Sequence, residues 1–86
     1  MDEDRFPAVA LAYRAIREGG TAGAVMNGAN EAAVEAFLAG RIRFTRIVEL
    51  VARAMDAIAA RAVKSLDDVL AADREARRFV ASRVEP

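Results

Sequence analysis

The chain of 86 residues is long enough for one domain and too short for a large core. Its 13 basic and 13 acidic side chains cancel, so the net charge gives no overall attraction to nucleic acid or to an anionic membrane. It contains neither cysteine nor histidine, which rules out a disulfide framework and removes the usual nucleophile, general base and metal ligand.

The first predicted helix begins at Pro7, because proline suits a first helical turn, and ends at the glycine pair 19–20. Its apolar residues at helical spacing are Val9, Ala12, Tyr13 and Ile16. The second predicted helix is the longest and runs from a candidate N-cap, Thr21, to the breaker Gly40, with a bend expected near Gly28. Its apolar side comprises Ala22, Val25, Met26, Ala29, Ala33, Ala36 and Phe37.

The segment between the second and third helices reads Arg-Ile-Arg-Phe-Thr at 41–45. It alternates like a strand but is too short to require a sheet, so a structured turn is predicted. Thr45 is a candidate cap for the third helix, in which Glu49 and Arg53 have the spacing of an ion pair. The predicted buried stripe of this helix is Ile47, Val51, Ala54 and Ile58.

The fourth predicted helix starts at Ser65, where a serine cap is followed by acids that complement the helix dipole. Its buried side is predicted to be Val69, Ala72, Ala76, Phe79 and Val80, interrupted by Asp73. Four amphipathic helices with short connections and no strand pattern predict an all-α, small four-helix bundle-like domain that occupies the whole chain, 1–86.

Two groups of residues could in principle bind a small ligand. Asp67, Asp68 and Asp73 could offer oxygen ligands to a hard cation, but the first two are more simply explained as dipole-stabilising acids in a first helical turn. The run Gly-Gly-Thr-Ala-Gly at 19–23 precedes a helix and could cradle a phosphate. No strand or P-loop lysine accompanies it, so a tight turn is favoured.

Arg41, Arg43 and Arg46 form a basic cluster between two helices, which raises the possibility of a helix-turn-helix protein. The balanced net charge and the acids on neighbouring helices argue against a nucleic-acid partner. A solvated turn, or arginines that face the carboxylates of a protein partner, is favoured.

A mixed polar and apolar stripe lies opposite the main core side of the second helix, within an arc of about 100°. This asparagine stripe consists of Asn27, Asn30, Glu31, Val34 and Leu38. Asparagine is a poor helix former unless its amide has a partner. Asn30 could cap the second half of a helix broken at Gly28, or the stripe could contact another domain. With Arg41 and Arg43, it forms the candidate interdomain docking surface.

Several motifs, in this order, resemble the C-terminal helical domain family of 1-deoxy-D-xylulose 5-phosphate reductoisomerase. They are Arg-Phe-Pro-Ala at 5–8, Gly-Gly-Thr at 19–21, Met-Asn-Gly-Ala-Asn-Glu at 26–31, Ala-Phe-Leu at 36–38, Ile-Arg-Phe-Thr at 42–45, and Ser-Leu-Asp-Asp-Val-Leu at 65–70 with Asp73 and Ala-Arg at 76–77 after it. The departures are Met26 in place of the usual leucine and Gly28 in place of the usual alanine.

The resemblance implies a parent enzyme of the non-mevalonate isoprenoid pathway, which converts its substrate to 2-C-methyl-D-erythritol 4-phosphate. NADPH and Mg²⁺ or Mn²⁺ are implied cofactors of that full enzyme, bound by domains that this chain lacks. No catalytic, cofactor-binding or metal-binding residue is implied here. We therefore expect an excised domain or truncated product that is inactive alone, with the parent catalytic domain as its partner.

Three further expectations concern the isolated chain. Surface that a catalytic domain would cover is expected to cause some self-association. The absence of cysteine, of a long apolar run and of a basic start predicts a soluble cytoplasmic protein with no membrane partner. The alternative to a structural enzyme domain is a free-standing helical protein-interaction module that docks through the asparagine stripe.

Overall fold

The computed structural model describes residues 7–84 and places four helices there. They are α1 (Pro7–Glu18), α2 (Ala22–Leu38), α3 (Arg46–Ala57) and α4 (Leu66–Val84). The described range contains no strand, and 41–45 forms a turn, so the all-α four-helix prediction and the turn prediction are confirmed. Arg5, Phe6 and the acidic start at 1–4 lie outside the described residues. Within that range, none of the helices has the length and apolar character needed to cross a bilayer.

Helix α2 is the centre of the fold, since its contacts with α4 and α3 are the most extensive and α1 also packs on it. The predicted inner side of α2 is confirmed. Five of its positions are buried, and Met26 and Phe37 are half-buried against the core. The buried five are Ala22, Val25, Ala29, Ala33 and Ala36. Small side chains at these positions let neighbouring helices approach α2 closely.

The predicted stripe of α3 is confirmed but too narrow. Ile47, Val51, Ala54 and Ile58 are all buried. Leu50 and Met55, which the stripe omitted, are buried as well. Helix α3 contacts α1, α2 and α4, so it buries a wider arc than a helix that packs on one neighbour.

The apolar residues at helical spacing on α1 do not all face the core, because Val9 and Ala12 are half-buried while the other two are exposed. Tyr13 and Ile16 are 46% and 75% exposed, whereas Ala15 is buried and Leu11 packs against the core. Helix α1 carries apolar residues on two sides, and it packs mainly on α2 with little contact to α3. Periodicity locates both apolar sides but does not indicate which of them faces the rest of the protein.

Glycine at 28 allows α2 and α4 to approach each other. A Cβ atom built there would lie 2.7 Å from the carbonyl oxygen of Asp73 and 2.8 Å from its Oδ1 atom. Helix α2 continues through Gly28 without a break, so the interpretation of Asn30 as the cap of a second helix segment is wrong. The expected bend near Gly28 stays a prediction.

The turn between α1 and α2 is bonded to the connection between α3 and α4. The N–H of Thr21 donates to the carbonyl oxygen of Arg61 over 2.9 Å, and the N–H of Arg61 donates to Thr21 Oγ1 over 2.9 Å. Thr21 occupies the predicted N-cap position, but its side chain makes no cap hydrogen bond because the hydroxyl accepts from Arg61 instead. Thr45 likewise makes no side-chain cap bond to α3.

Two polar predictions on α3 and α4 have different outcomes. The start of α4 follows Ser65 as predicted, with the Asp68 carboxylate accepting from the N–H groups of Lys64 and Ser65 over 2.8 and 3.1 Å. An acid at this position is the reciprocal half of a capping box. The predicted pairing of Glu49 with Arg53 is wrong, since Glu49 is paired with Arg46 over 2.7 Å.

Candidate functional site

The asparagine stripe occupies a largely exposed side of α2. Asn27, Asn30, Glu31 and Leu38 are exposed, and Val34 is half-buried against the core. A side chain such as Leu38, which is 76% exposed at the end of α2, adds nothing to the core. The stripe is therefore available as a surface, although its residues differ in what they already contact.

Glu31 connects α2 to α4. Its carboxylate accepts a hydrogen bond from the guanidinium of Arg77, which also donates to Asp73 Oδ2 over 2.8 Å. Hydrogen bonds to Asp73 and then to Glu31 raise the pKa of Arg77, so this side chain stays charged. The Asp73 position that interrupts the apolar side of α4 is thus part of an ion-pair network within the domain.

A second contact of this kind joins α1 to α3. The Arg14 guanidinium donates to Glu18 on its own helix over 2.5 Å and to Asp56 on α3 over 2.6 Å. It also donates to the carbonyl oxygen of Met55 over 3.2 Å. The bonds to Glu18 and then Asp56 raise the pKa of Arg14. This arginine crosses the narrow α1–α3 contact, and no local sequence pattern indicates its long-range partner.

Asn27 and Asn30 differ from Glu31 because, among residues 7–84, their side chains make no hydrogen bond. Both border a groove of about 230 Å³ between α1, α2 and α3. Its other lining residues are Ala8, Leu11, Ala12, Met26, Val48 and Val51, all of them apolar. The two amides therefore stand beside an apolar groove with unused donors and acceptors.

Replacing either asparagine with alanine is expected to stabilise the isolated domain by about 0.5 kcal/mol, because alanine is the better helix former and no hydrogen bond is lost. Urea unfolding followed by circular dichroism measures the change. Glu35→Ala, at another exposed α2 position, is the control and should shift stability less, since glutamate is itself a good helix former. A loss of stability in Asn27→Ala or Asn30→Ala would show that these amides support the fold.

The basic turn 41–46 continues the surface beyond the end of α2. Arg41 and Arg43 are exposed, and Arg46 is paired with Glu49. Phe44 is 69% exposed, and its ring meets that of Phe37 edge to face, with centroids 5.5 Å apart. Cationic and apolar side chains thus lie together at this end of the molecule, which suits an acidic and apolar protein surface.

The carboxylates of the described residues do not fit a metal site. Within 7–84 no three acidic side chains are grouped closely enough to hold an ion. Asp68 accepts from backbone N–H groups and Asp73 is bonded to Arg77. The cation alternative for Asp67, Asp68 and Asp73 therefore has no support from their geometry.

The glycine turn does not fit the phosphate of a nucleotide cofactor. Gly20 lies so close to the Arg61 carbonyl oxygen that a Cβ atom would be 2.1 Å from it, and the N–H of Thr21 is bonded to the same oxygen. The N–H of Thr21 is therefore already bonded within the domain and is not available to an anion. The tight-turn interpretation of 19–21 is confirmed, because Gly19 and Gly20 both have positive φ angles of 67° and 53°.

These observations define a small all-α domain whose α2 helix has a largely exposed polar and apolar side within residues 7–84. The family described as the DXP reductoisomerase C-terminal domain matches residues 1–79, and the chain belongs to that family. The resemblance read from the motifs is thereby confirmed.

Relatives that match nearly the whole chain support this assignment. The chain is 52% identical to the 1-deoxy-D-xylulose 5-phosphate reductoisomerase of Rhizobium meliloti over 96% of its length, and 56% identical to that of Burkholderia multivorans over 93%. Its structure matches the Zymomonas mobilis reductoisomerase solved in complex with NADPH, with a TM-score of 0.90, 45% identity and 99% coverage. The chain spans only 22%, 20% and 22% of these three proteins, respectively.

Proposed function

We propose that this chain acts as the structural C-terminal domain of a 1-deoxy-D-xylulose 5-phosphate reductoisomerase and has no activity of its own. The observation that carries the proposal is the match of 99% of the chain to 22% of an NADPH-bound reductoisomerase, with a TM-score of 0.90. The remainder of such an enzyme would bind NADPH and a divalent cation, Mg²⁺ or Mn²⁺, and would perform the conversion to 2-C-methyl-D-erythritol 4-phosphate.

The partner proposed for this domain is the catalytic part of the same enzyme. The candidate docking surface consists of Asn27, Asn30, Glu31, Val34, Leu38, Arg41 and Arg43. Support comes from the exposed amides and from the exposure of Leu38, Arg41 and Arg43, which are the kinds of side chain that a polar and apolar interface uses. We also propose a cytoplasmic location, for which the support is the cysteine-free composition.

The chain alone is expected to show no turnover with NADPH, Mg²⁺ or Mn²⁺ and 1-deoxy-D-xylulose 5-phosphate, as measured by loss of NADPH absorbance. The matched experiment replaces the corresponding segment of the Rhizobium meliloti enzyme with this chain. That chimera should keep NADPH oxidation, whereas the same enzyme with the segment deleted should lose it. Turnover by the isolated chain, or an inactive but folded chimera, would contradict the proposal.

Isolation of the domain is expected to cause self-association at high concentration, because large apolar side chains remain exposed. They are Tyr13, Ile16, Leu38, Phe44, Val63, Leu66 and Leu70. Sedimentation velocity across a concentration series measures this directly. A single monomeric species at every concentration would count against exposed apolar surface as a driver of association.

A further inference from the structure

We propose that the groove between α1, α2 and α3 binds an extended backbone segment from the remainder of the reductoisomerase polypeptide, with the amides of Asn27 and Asn30 hydrogen-bonded to its peptide groups. This inference rests on the proposed function and specifies the site and the chemistry of one of its contacts. It assigns the two asparagines a recognition role that their place in a helix does not otherwise explain.

The groove has a shape and lining that suit an extended segment. Helix α1 packs on α2 but makes little contact with α3, which leaves an opening of about 230 Å³ above α2. Leu11, Met26 and Val51 are among the apolar residues that line it. An opening lined by apolar side chains favours a segment that can insert alternate side chains, and an extended strand presents them at every second position.

The amides of Asn27 and Asn30 can hydrogen-bond to the backbone of such a segment. Asn27 and Asn30 are three positions apart on α2, so their side chains are neighbours on one side of the helix. Each amide group offers two N–H donors and a carbonyl acceptor, the same groups that an extended backbone presents. Both amides are exposed and make no hydrogen bond within residues 7–84. They can therefore pair with a backbone segment without breaking a hydrogen bond among residues 7–84.

The length of the relatives favours an occupant from the same polypeptide. The chain covers 22% of the Rhizobium meliloti enzyme and 22% of the Zymomonas mobilis enzyme, so most of such a polypeptide lies outside this domain. A segment of the same polypeptide is held near the groove by covalent connection, which raises its effective concentration. A separate binding partner would lack that advantage.

The test uses the 86-residue chain labelled with ¹⁵N and, as probes, overlapping peptides of about 15 residues that tile the Rhizobium meliloti enzyme outside the matched segment. One overlapping set should shift the amide resonances of Leu11, Met26 and Val51. The double variant Asn27→Ala/Asn30→Ala should weaken that binding about tenfold or more, as expected for the loss of hydrogen bonds to two side chains. Glu35→Ala, on the same helix but outside the groove lining, should bind as the unchanged chain does.

Three results would overturn the inference. They are peptides that leave the groove resonances unshifted, binding that is equally strong in the double variant, and groove shifts produced by raising the concentration of the chain alone, which would make a second copy the occupant. The chimera with the Rhizobium meliloti enzyme separates this inference from the proposed function. An active chimera together with a groove that binds no peptide would reject the groove assignment and retain the domain assignment.

Discussion

Replacing Gly20 with alanine is expected to destabilise the domain by about 3 kcal/mol, whereas Gly19→Ala should cost only about 1 kcal/mol. Both glycines have positive φ angles, 53° for Gly20 and 67° for Gly19, so alanine is strained at either position. Of these two glycines, only Gly20 lies against a distant segment of the chain. A Cβ atom there would lie 2.1 Å from the Arg61 carbonyl oxygen, whereas nothing lies within 4 Å of a Cβ atom at Gly19.

The additional loss in Gly20→Ala comes from the displaced Arg61 backbone. Moving Arg61 breaks its two hydrogen bonds with Thr21, each of which contributes about 1 kcal/mol. Urea unfolding measures the two stabilities. Hydrogen exchange supplies an independent readout, because the amides of Thr21 and Arg61 should lose protection in Gly20→Ala and keep it in Gly19→Ala. Equal stability of the two variants would show that the close approach does not constrain the turn.

Replacing Leu50 with alanine is expected to cost about 3 kcal/mol, within the range of roughly 2 to 5 kcal/mol seen for buried leucines. Leu50 has 0% exposure and is the largest fully buried side chain among residues 7–84. A chain of this length has an expected stability of about 4 to 13 kcal/mol, so this one change would remove a large part of it. The midpoint of thermal unfolding should fall by roughly 10 to 25 °C.

The control for Leu50→Ala is Leu38→Ala, the same substitution at a helical position that is 76% exposed. Its effect should stay within about 0.5 kcal/mol, because it creates no cavity. Differential scanning calorimetry of the two variants and the parent chain makes the comparison. A smaller loss for Leu50→Ala than for Leu38→Ala would contradict the arrangement of α3 against α2 and α4.

The inner sides of α2 and α4 were predictable from sequence because each helix has one dominant apolar side. On α4, Ala72, Ala76 and Val80 are buried at the predicted positions, and Val69 and Phe79 are half-buried. On α1 the apolar residues at helical spacing do not identify the inner side, since Tyr13 and Ile16 are exposed. The two apolar sides of α1 have the same period, and only contact with α2 distinguishes them.

The candidate site was predictable in part. A helical-wheel projection of α2 placed Asn27 and Asn30 on the side opposite the core, and both are exposed in the structure. It also grouped Glu31 with them, although Glu31 is engaged with Arg77, a residue 46 positions further along the chain. The residues of α1 and α3 that line the groove cannot be deduced from the sequence of α2. The groove is therefore evident only from the way the three helices pack.

The sequence by itself determined the number and order of the helices, the alanine-rich inner side of α2 and, through its ordered motifs, the reductoisomerase C-terminal domain family. These features depend on periodicity, breakers and short motifs, which are local along the chain. Only the tertiary structure decided the side of α1 that faces inward and the residues that meet across the fold, such as Gly28 with Asp73 and Thr21 with Arg61. Thr21 and Arg61 are 40 positions apart, and contacts at such separations depend on how whole helices pack, which no local pattern specifies.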